Sequence, residues 1–500
     1  MLSLNNISHH SSSKAVPGAN MSKLEELRIN ASVQGILPNS LVSVVSIQGS
    51  GGQGREPVGI IFCATRNGIR VSAMSFWNGV AAGARNLRLF ELGTGWRQHG
   101  DEMDADGRVT FVGCSRALDE TLSIALNASN LLLLTGAGSS FCIGNPPGKM
   151  SAPSMSDLWD AVEAAASQRV MAEVIALIPN AAGINKNIEK LLTLCKLFIA
   201  LYNNAESEKV GLFIKSAEKA ILARVDFVDK DTNISSHRSL VRKVARRGSR
   251  KPRTKIFTTN YDLCFEQAAR QQQFVVIDGF SHSTPQVYDR AHFSYDIVRW
   301  DNRADAPDYV ENVFHLYKLH GSLDWRRSGM TILRSRDAAD GDPVLIYPRD
   351  TKFQEAFEAP YLDMMGALQA ALREPDTALI VSGFGFNDDH ISKPVMAAVE
   401  ANLSLRVIVC DVAFLSDASL NGNPSVVDQA AAMRGDNAYL KQWRDLANNG
   451  DKRITLINGR FEDLADAIPD LVAQTERERH ADRMHRVRDS TEERNTRGPA

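Results

Sequence analysis

The chain has 500 residues, a formal net charge of -2 and a hydrophobic content of 44%. That length accommodates roughly two to four domains, and the near-neutral balance argues against a polyanion binder as a whole. The six cysteines (Cys63, Cys114, Cys142, Cys195, Cys264 and Cys410) form no C-x-x-C pair. This excludes a disulfide framework and a zinc ribbon, and fits buried thiols in a reducing cytoplasm. No apolar run reaches the roughly 18 residues of a membrane span. The first residues also lack the charged start and apolar centre of a signal peptide. A cytoplasmic protein without a membrane partner is expected.

Residues 1–22 are rich in Ser and Asn and read as a flexible tail. Residues 23–115 read as a small β-rich docking or assembly module. Its strand-like runs are Val33–Ile36, Leu41–Ile47, Val58–Ala64 and Ile69–Met74. Asn67-Gly68 between the last two is a hairpin signal. The stretch from Ser32 to Ile47 is similar to the small N-terminal module of some bacterial Swi/Snf-type helicases. No helicase motif accompanies it. A stabilising extension without a partner is the other reading.

Residues 131–140 read LLLLTGAGSS. Four leucines in a row predict a short strand buried on both faces. The turn Gly136-Ala137-Gly138-Ser139-Ser140 would let backbone approach a diphosphate at a helix N-terminus. Alone, such a turn is as often a plain tight turn. From Ser156 to about Leu240, apolar residues recur at helical spacing, which predicts a helical insertion over about 155–250. Residues 238–255 (RSLVRKVARRGSRKPRTK) are strongly basic. With no interleaved aromatic residue, a solvated segment outweighs a nucleic-acid contact there.

From Lys255 onward strand and helix patterns alternate. Lys255–Thr258, Phe274–Ile277, Val344–Tyr347, Ala378–Ser382 and Leu405–Cys410 read as strands, and Leu263–Gln271, Tyr361–Leu372 and His390–Ala401 as helices. The alternation predicts an α/β fold with a Rossmann-like, doubly wound parallel sheet. Residues 476–500, dense in Arg and Glu, read as a disordered or frayed tail.

Four stations stand in order beside the apolar runs: the GAG-Ser-Ser loop, Thr259-Asn260-Tyr261-Asp262, His320-Gly321-Ser322, and Ser382-Gly383-Phe384. Together they resemble the sirtuin-like family over roughly residues 116–475. The resemblance implies an NAD site that cleaves the nicotinamide–ribose bond. It implies that Gly136, Ala137, Gly138, Ser139, Ser140, Thr259, Ser382, Gly383, Phe384 and Asp411 bind the cofactor. It further implies that Asn260, Asp262 and His320 are catalytic, with His320 as general base. On residue chemistry alone, Asn260 and Asp262 could equally cap the following helix.

The four zinc cysteines of sirtuin deacetylases are missing, so water is the implied acceptor and no metal is expected. Zinc-free bacterial relatives of this kind often act in phage defence. They deplete NAD+ under the control of oligomerisation or a HerA-type ATPase. That resemblance implies a homo-oligomer or an ATPase or helicase-like partner, with nucleic acid entering only indirectly or through 238–255. The competing readings are a catalytically silent NAD- or ADP-ribose-sensing scaffold and, less favoured, a protein deacylase.

Overall fold

A computed structural model divides the chain into two compact units, Met1–Ala81 and Ala82–Ala500. The structure describes the backbone of five strands in the first unit. In the second it describes residues 87–144, 150–179, 181, 183–247, 251–300, 308–345, 359–421 and 424–470.

In the first unit, β1 (Ile7–Ser8), β2 (Ser32–Leu37), β3 (Ser40–Gln48), β4 (Gly59–Arg66) and β5 (Ile69–Ala73) form an antiparallel sheet in sequential order. Arg66 pairs with Ile69 across the expected hairpin. Ile7–Ser8, read from composition as part of a tail, is an edge strand paired with Val33 and Ser32. The rest of that tail and residues 476–500 lie outside the described residues.

The expected module boundary at residue 115 is corrected. β6 (Arg88–Glu91) and β7 (Gly95–Gln98) join the ten-stranded sheet of the second unit. Ile457 pairs with Leu89 there, and Trp96 is fully buried. A short hairpin, β8 (Glu102–Met103) with β9 (Val109–Phe111), leads to α1 (Ser115–Asn127) and to β10 (Asn130–Thr135). Then come α2 (Met155–Ala166), α3 (Gln168–Leu177), α4 (Ile188–Leu201), α5 (Ala205–Val225) and α6 (Ser235–Ala245). These five helices are the expected insertion. Ser154 and Asp157 close a capping box at the start of α2.

Beyond the insertion lie β11 (Lys255–Thr258), α7 (Cys264–Gln271), β12 (Val275–Ile277), β13 (Val298–Arg299), β14 (Asp308–Tyr309) and β15 (Val313–Lys318). β16 (Gly321–Ser328), β17 (Thr331–Arg334) and β18 (Asp342–Leu345) make a separate antiparallel sheet. The run at Val344, read as a strand of the parallel sheet, therefore belongs elsewhere. It pairs with β16, the strand that directly follows His320. The chain closes with α8 (Tyr361–Arg373), β19 (Thr377–Ser382), α9 (Asp389–Ala401), β20 (Arg406–Cys410), β21 (Val426–Val427), α10 (Ala438–Asn448), β22 (Ile454–Asn458) and α11 (Phe461–Ala467).

The large sheet has the order β12-β15-β11-β10-β19-β20-β22-β6-β7-β21. The strands from β12 to β22 in that order run parallel, and β6, β7 and β21 add an antiparallel edge. Side chains alternate across a strand, so Leu131 and Leu133 enter one core with α1, α6, α7 and α11. Leu132 and Leu134 enter the other with α8, α9 and α10. Each buried leucine contributes roughly 1.5–3 kcal/mol relative to exposure. Helices on both faces make this the expected doubly wound, Rossmann-like α/β fold. The insertion has its own core, which Tyr261 and Leu323 join from the site side.

From β10 the chain builds outward to β11, β15 and β12, then returns to place β19 on the other side of β10. The switch point lies between the C-terminal ends of β10 and β19, where Thr135 pairs with Ser382. Ligands of open α/β sheets bind at such a crevice.

Candidate functional site

Three loops leave neighbouring strand ends at the switch point. The loop after β10 contains two short 3-10 turns, Ala137–Ser139 and Phe141–Ile143, rather than the start of an α-helix. The expected helix N-terminus behind the diphosphate turn is thus absent from this loop, and a full macrodipole with it. The glycines also have a more immediate task than ligand approach. The Gly138 N–H donates to the Gly383 carbonyl at 2.9 Å. A Cβ on Gly138 would stand 2.8 Å from Gly383 Cα, and one on Gly383 would stand 2.4 Å from the Ser139 nitrogen. Gly383 has φ +73°, a conformation favouring glycine. The loops after β10 and β19 therefore touch backbone to backbone. Asn437, the N-cap of α10, holds the second loop further along by donating to the Gly385 and Phe386 carbonyls.

Two cavities open beside these loops, and the contact itself lines the larger. One, of about 560 Å³, is lined by Ala137, Gly138, Gly383, Phe384, Asp411 and Arg460 among others. The other, of about 310 Å³, is lined by Ala137, Ser140, Thr259, Asn260, Asp262 and His320 among others. Ala137, Phe384 and Asn387 line both. Gly136, Ser139 and Ser382 line neither; they back the loops. Thr259 falls in the smaller cavity with the catalytic candidates, apart from Asp411.

The smaller cavity holds a directed hydrogen-bond chain. Ser140 Oγ donates to Asp262 Oδ2 at 2.7 Å. It must then accept from Asn260, whose Nδ2 lies 2.9 Å from Ser140 Oγ and 3.2 Å from Ser139 Oγ. The chain fixes the Asn260 amide with Nδ2 towards the serines, leaving Oδ1 as its acceptor for a ligand or water. Asp262 Oδ1 accepts from the Cys264 N–H at 3.0 Å, so this carboxylate also orders the start of α7. Asp262 precedes the N-cap, Leu263, so it meets the helix start through this one bond rather than as the N-cap itself.

His320 follows β15 and is 2% exposed. An unperturbed imidazole in the general-base role that the resemblance implies titrates near neutrality. Burial instead pushes its pKa down to about 3, because no carboxylate offsets the lost hydration. His320 Nε2 lies 3.0 Å from His390 Nε2, with the ring centroids 5.1 Å apart and the planes inclined by 29°.

Three neighbours of these residues carry no motif in the sequence. His390, in the first turn of α9, looked like part of an ordinary acidic helix start. Lys318 precedes His320 by two residues. Its buried ammonium donates to the Tyr261 carbonyl at 3.3 Å, to the Asp262 carbonyl, and to Glu266 Oε1 at 3.1 Å. It clamps the Asn260–Asp262 loop from behind. Glu189, at the start of α4, accepts from the Tyr261 hydroxyl at 2.8 Å and lines the smaller cavity. Burial, with Asp388 nearby, raises its pKa to about 8. Together with Ala152, Pro153, Met155 and Phe227 it makes residues from 152 to 227 one wall of that cavity. The only signal in the sequence for Lys318 and Glu189 was a charge inside an apolar run.

Asp411 lines the larger cavity and caps the turn after β20 by accepting from the Ala413 N–H at 2.8 Å. Burial raises its pKa. His315 is buried with Nδ1 3.4 Å from the Tyr317 hydroxyl. The basic stretch is engaged at helix ends. Lys243 donates to the Ala465 and Asp466 carbonyls, Arg247 to Ala128 and Lys251 to Asn127. Cations at helix C-termini are favourable there; Arg246 and Arg247 are buried, so this part of 238–255 is not a solvated loop. Among the described residues, no group of three or more His, Cys, Asp or Glu could hold a metal ion. No helix among them is long and apolar enough to cross a membrane.

No curated protein matches the chain significantly. A solved Sir2 homologue, a serine-to-alanine mutant in complex with ADP-ribose, aligns at 14% identity and a TM-score of 0.27. That alignment covers 63% of this chain and 90% of that one; the fold described above is read from strand order, not from this likeness. Residues 254–431 match the SIR2-like domain family, a span that contains Asn260, His320, Gly383 and Asp411 and stops short of the glycine loop at 136–140. Residues 254–431 are thus similar to a SIR2-like domain, and the loop after β10 lies outside the matched span, on a strand paired with β11 and β19 within it.

Proposed function

We propose that this protein is an NAD+ glycohydrolase, which cleaves the nicotinamide–ribose bond and transfers ADP-ribose to water. The observation that carries the reading is the cleft divided at the switch point. One cavity collects Asn260, Asp262 and His320; the other has glycine backbone and Asp411. An elongated dinucleotide would lay its nicotinamide riboside in the first and its adenosine in the second, with the diphosphate over Ala137 and Phe384. Asp411 suits ribose hydroxyls.

Breaking the C1′–N1 bond sends its electron pair to the pyridinium nitrogen and leaves positive charge on the ribose. Asn260 Oδ1 is placed to orient the water and, with the Asp262 carboxylate, to stabilise that charge. His320 takes the proton that the water loses. The balance is NAD+ and water to nicotinamide, ADP-ribose and one proton. Water is favoured over an acyl-lysine acceptor because the sequence has no zinc-cysteine pairs. The same resemblance extends the proposal to NAD+ depletion in anti-phage defence, in a cytoplasmic homo-oligomer or under a HerA-type ATPase.

The test is to incubate purified full-length protein with NAD+, alone and with an acetyl-lysine peptide, and to separate the products. Equal nicotinamide and ADP-ribose, unaffected by peptide, is the expected result. Binding of ADP-ribose without cleavage under any partner condition would favour the sensing scaffold. Acetylated ADP-ribose would favour the deacylase.

A further inference from the structure

We propose that His390 is a positioning residue of this site, which orients His320 through an Nε2–Nε2 hydrogen bond and accepts the proton that His320 collects. The inference rests on the hydrolase reading for the origin of the proton, but the pairing itself does not.

The geometry comes first. The two Nε2 atoms are 3.0 Å apart. Two facing lone pairs would repel at that distance, so one of the atoms carries hydrogen. The rings arrive from different elements: His320 ends the stretch after β15, and His390 sits in the first turn of α9. Nothing local forces them together.

The surroundings differ in a way that sets a direction. His320 is fully enclosed, and the groups around it are His390 and the Tyr261 ring at 6.5 Å. It has no counter-charge, which is why burial alone depresses its basicity. His390 is half-buried, next to Asp388 and Asp389 on its own helix, with Tyr361 of α8 against its ring at 6.1 Å. A charged His390 lowers the pKa of both aspartates, so the interaction is attractive. Lys393 pairs with Asp389, and Glu189 of α4 faces Asp388 across the cavity. A positive charge costs more on His320 than on His390.

The step balances as follows. His320 starts neutral with hydrogen on Nε2, donating to His390 Nε2. A water proton is taken at Nδ1 of His320, the nitrogen that His390 leaves available. The Nε2 hydrogen passes to His390. His320 ends neutral with hydrogen on Nδ1, and His390 ends as imidazolium beside Asp388 and Asp389. His390 then loses its Nδ1 hydrogen to solvent.

The test uses full-length protein with His390→Gln, which keeps a hydrogen-bonding amide but cannot take up the proton, and His390→Ala. Thermal melting establishes that each is folded. The expected result is a fall in kcat for NAD+ cleavage of about a hundredfold, the low end for proton transfer, with a changed pH profile and ADP-ribose affinity within about threefold. Histidine-selective 15N labelling provides the second readout. In the wild type, the His320 nitrogen signals should shift as His390 titrates, and His390→Gln should abolish that inflection. Wild-type kcat and pH profile in His390→Gln, or His320 signals blind to the titration of His390, would overturn the proposal. A wild-type chain that cleaves no NAD+ would remove the hydrolase reading and the source of the proton, while the NMR arm would still decide the pairing.

Discussion

The two cavities share Ala137, Phe384 and Asn387 and are built by opposite means. The smaller is walled by side chains: an amide, a carboxylate, the His320 imidazole and a protonatable glutamic acid. The larger takes its inner edge from glycine backbone at 138 and 383, with Asp411 at its far side. Side-chain walls can lose function without losing the fold. Backbone walls cannot, since their shape is the course of the chain itself. Substitutions should therefore separate the cavities by which property fails first.

The largest effect is expected at Gly383. Gly383→Ala places a Cβ 2.4 Å from the Ser139 nitrogen in a left-handed conformation. A loss of about 3 kcal/mol or more is expected, read as a large fall in Tm with loss of ADP-ribose binding. A variant as stable as the wild type would show that the two loops can separate, and the contrast would collapse. Next come Asn260→Ala and His320→Ala. Each should lower NAD+ cleavage by about 10²–10⁴-fold. Tm and ADP-ribose affinity should stay near wild type; near-normal turnover in a folded variant would remove that residue from the chemistry.

Asp411→Asn tests the far side of the larger cavity. The amide keeps the acceptor for the Ala413 N–H while removing the charge. KM for NAD+ should rise about tenfold with kcat within about twofold, matching the roughly 1.5–3 kcal/mol of a hydrogen bond to a charged group. A fall in kcat instead would tie Asp411 to the reaction centre.

The last test concerns pH. The folded protein holds the Glu189 carboxyl at about 8, above the ordinary 4.5. Between these values the folded state binds more protons than the unfolded one. This contribution to stability is complete below pH 4.5 and is lost as pH rises towards 8. Glu189→Gln keeps an acceptor for the Tyr261 hydroxyl and should flatten the decline of Tm over that range. Parallel Tm curves for the two proteins would place Glu189 in contact with water.

The parts legible in the sequence were those encoded by contiguous pattern. Leu131–Leu134 announced a strand covered on both faces, and the turns that follow β10, β11 and β19 announced strand ends. The parts that were not legible depend on pairing across the chain. Arg88–Glu91 and Gly95–Gln98 look like strands of the preceding module, because hydrophobic alternation names no partner sheet. Val344 reads as one more β-strand of an alternating fold, yet pairs with β16. Lys318, Glu189 and His390 acquire meaning only from what distant segments bring beside them. The glycines of the 136–140 loop were read towards a ligand, whereas their nearest neighbours are another loop.

Gly138 and Gly383 each occupy the space in which the other would carry a side chain. Sequence drift changes one codon at a time, and either change meets backbone: a Cβ at 138 meets Gly383 and a Cβ at 383 meets the Ser139 nitrogen. The pair is thus a fixed point from which no one-step path leads away. Among chains descended from a common ancestor with this one, these two positions should remain glycine together even where the residues lining both cavities have diverged. A search for such chains is better anchored on that spaced pair than on any single motif.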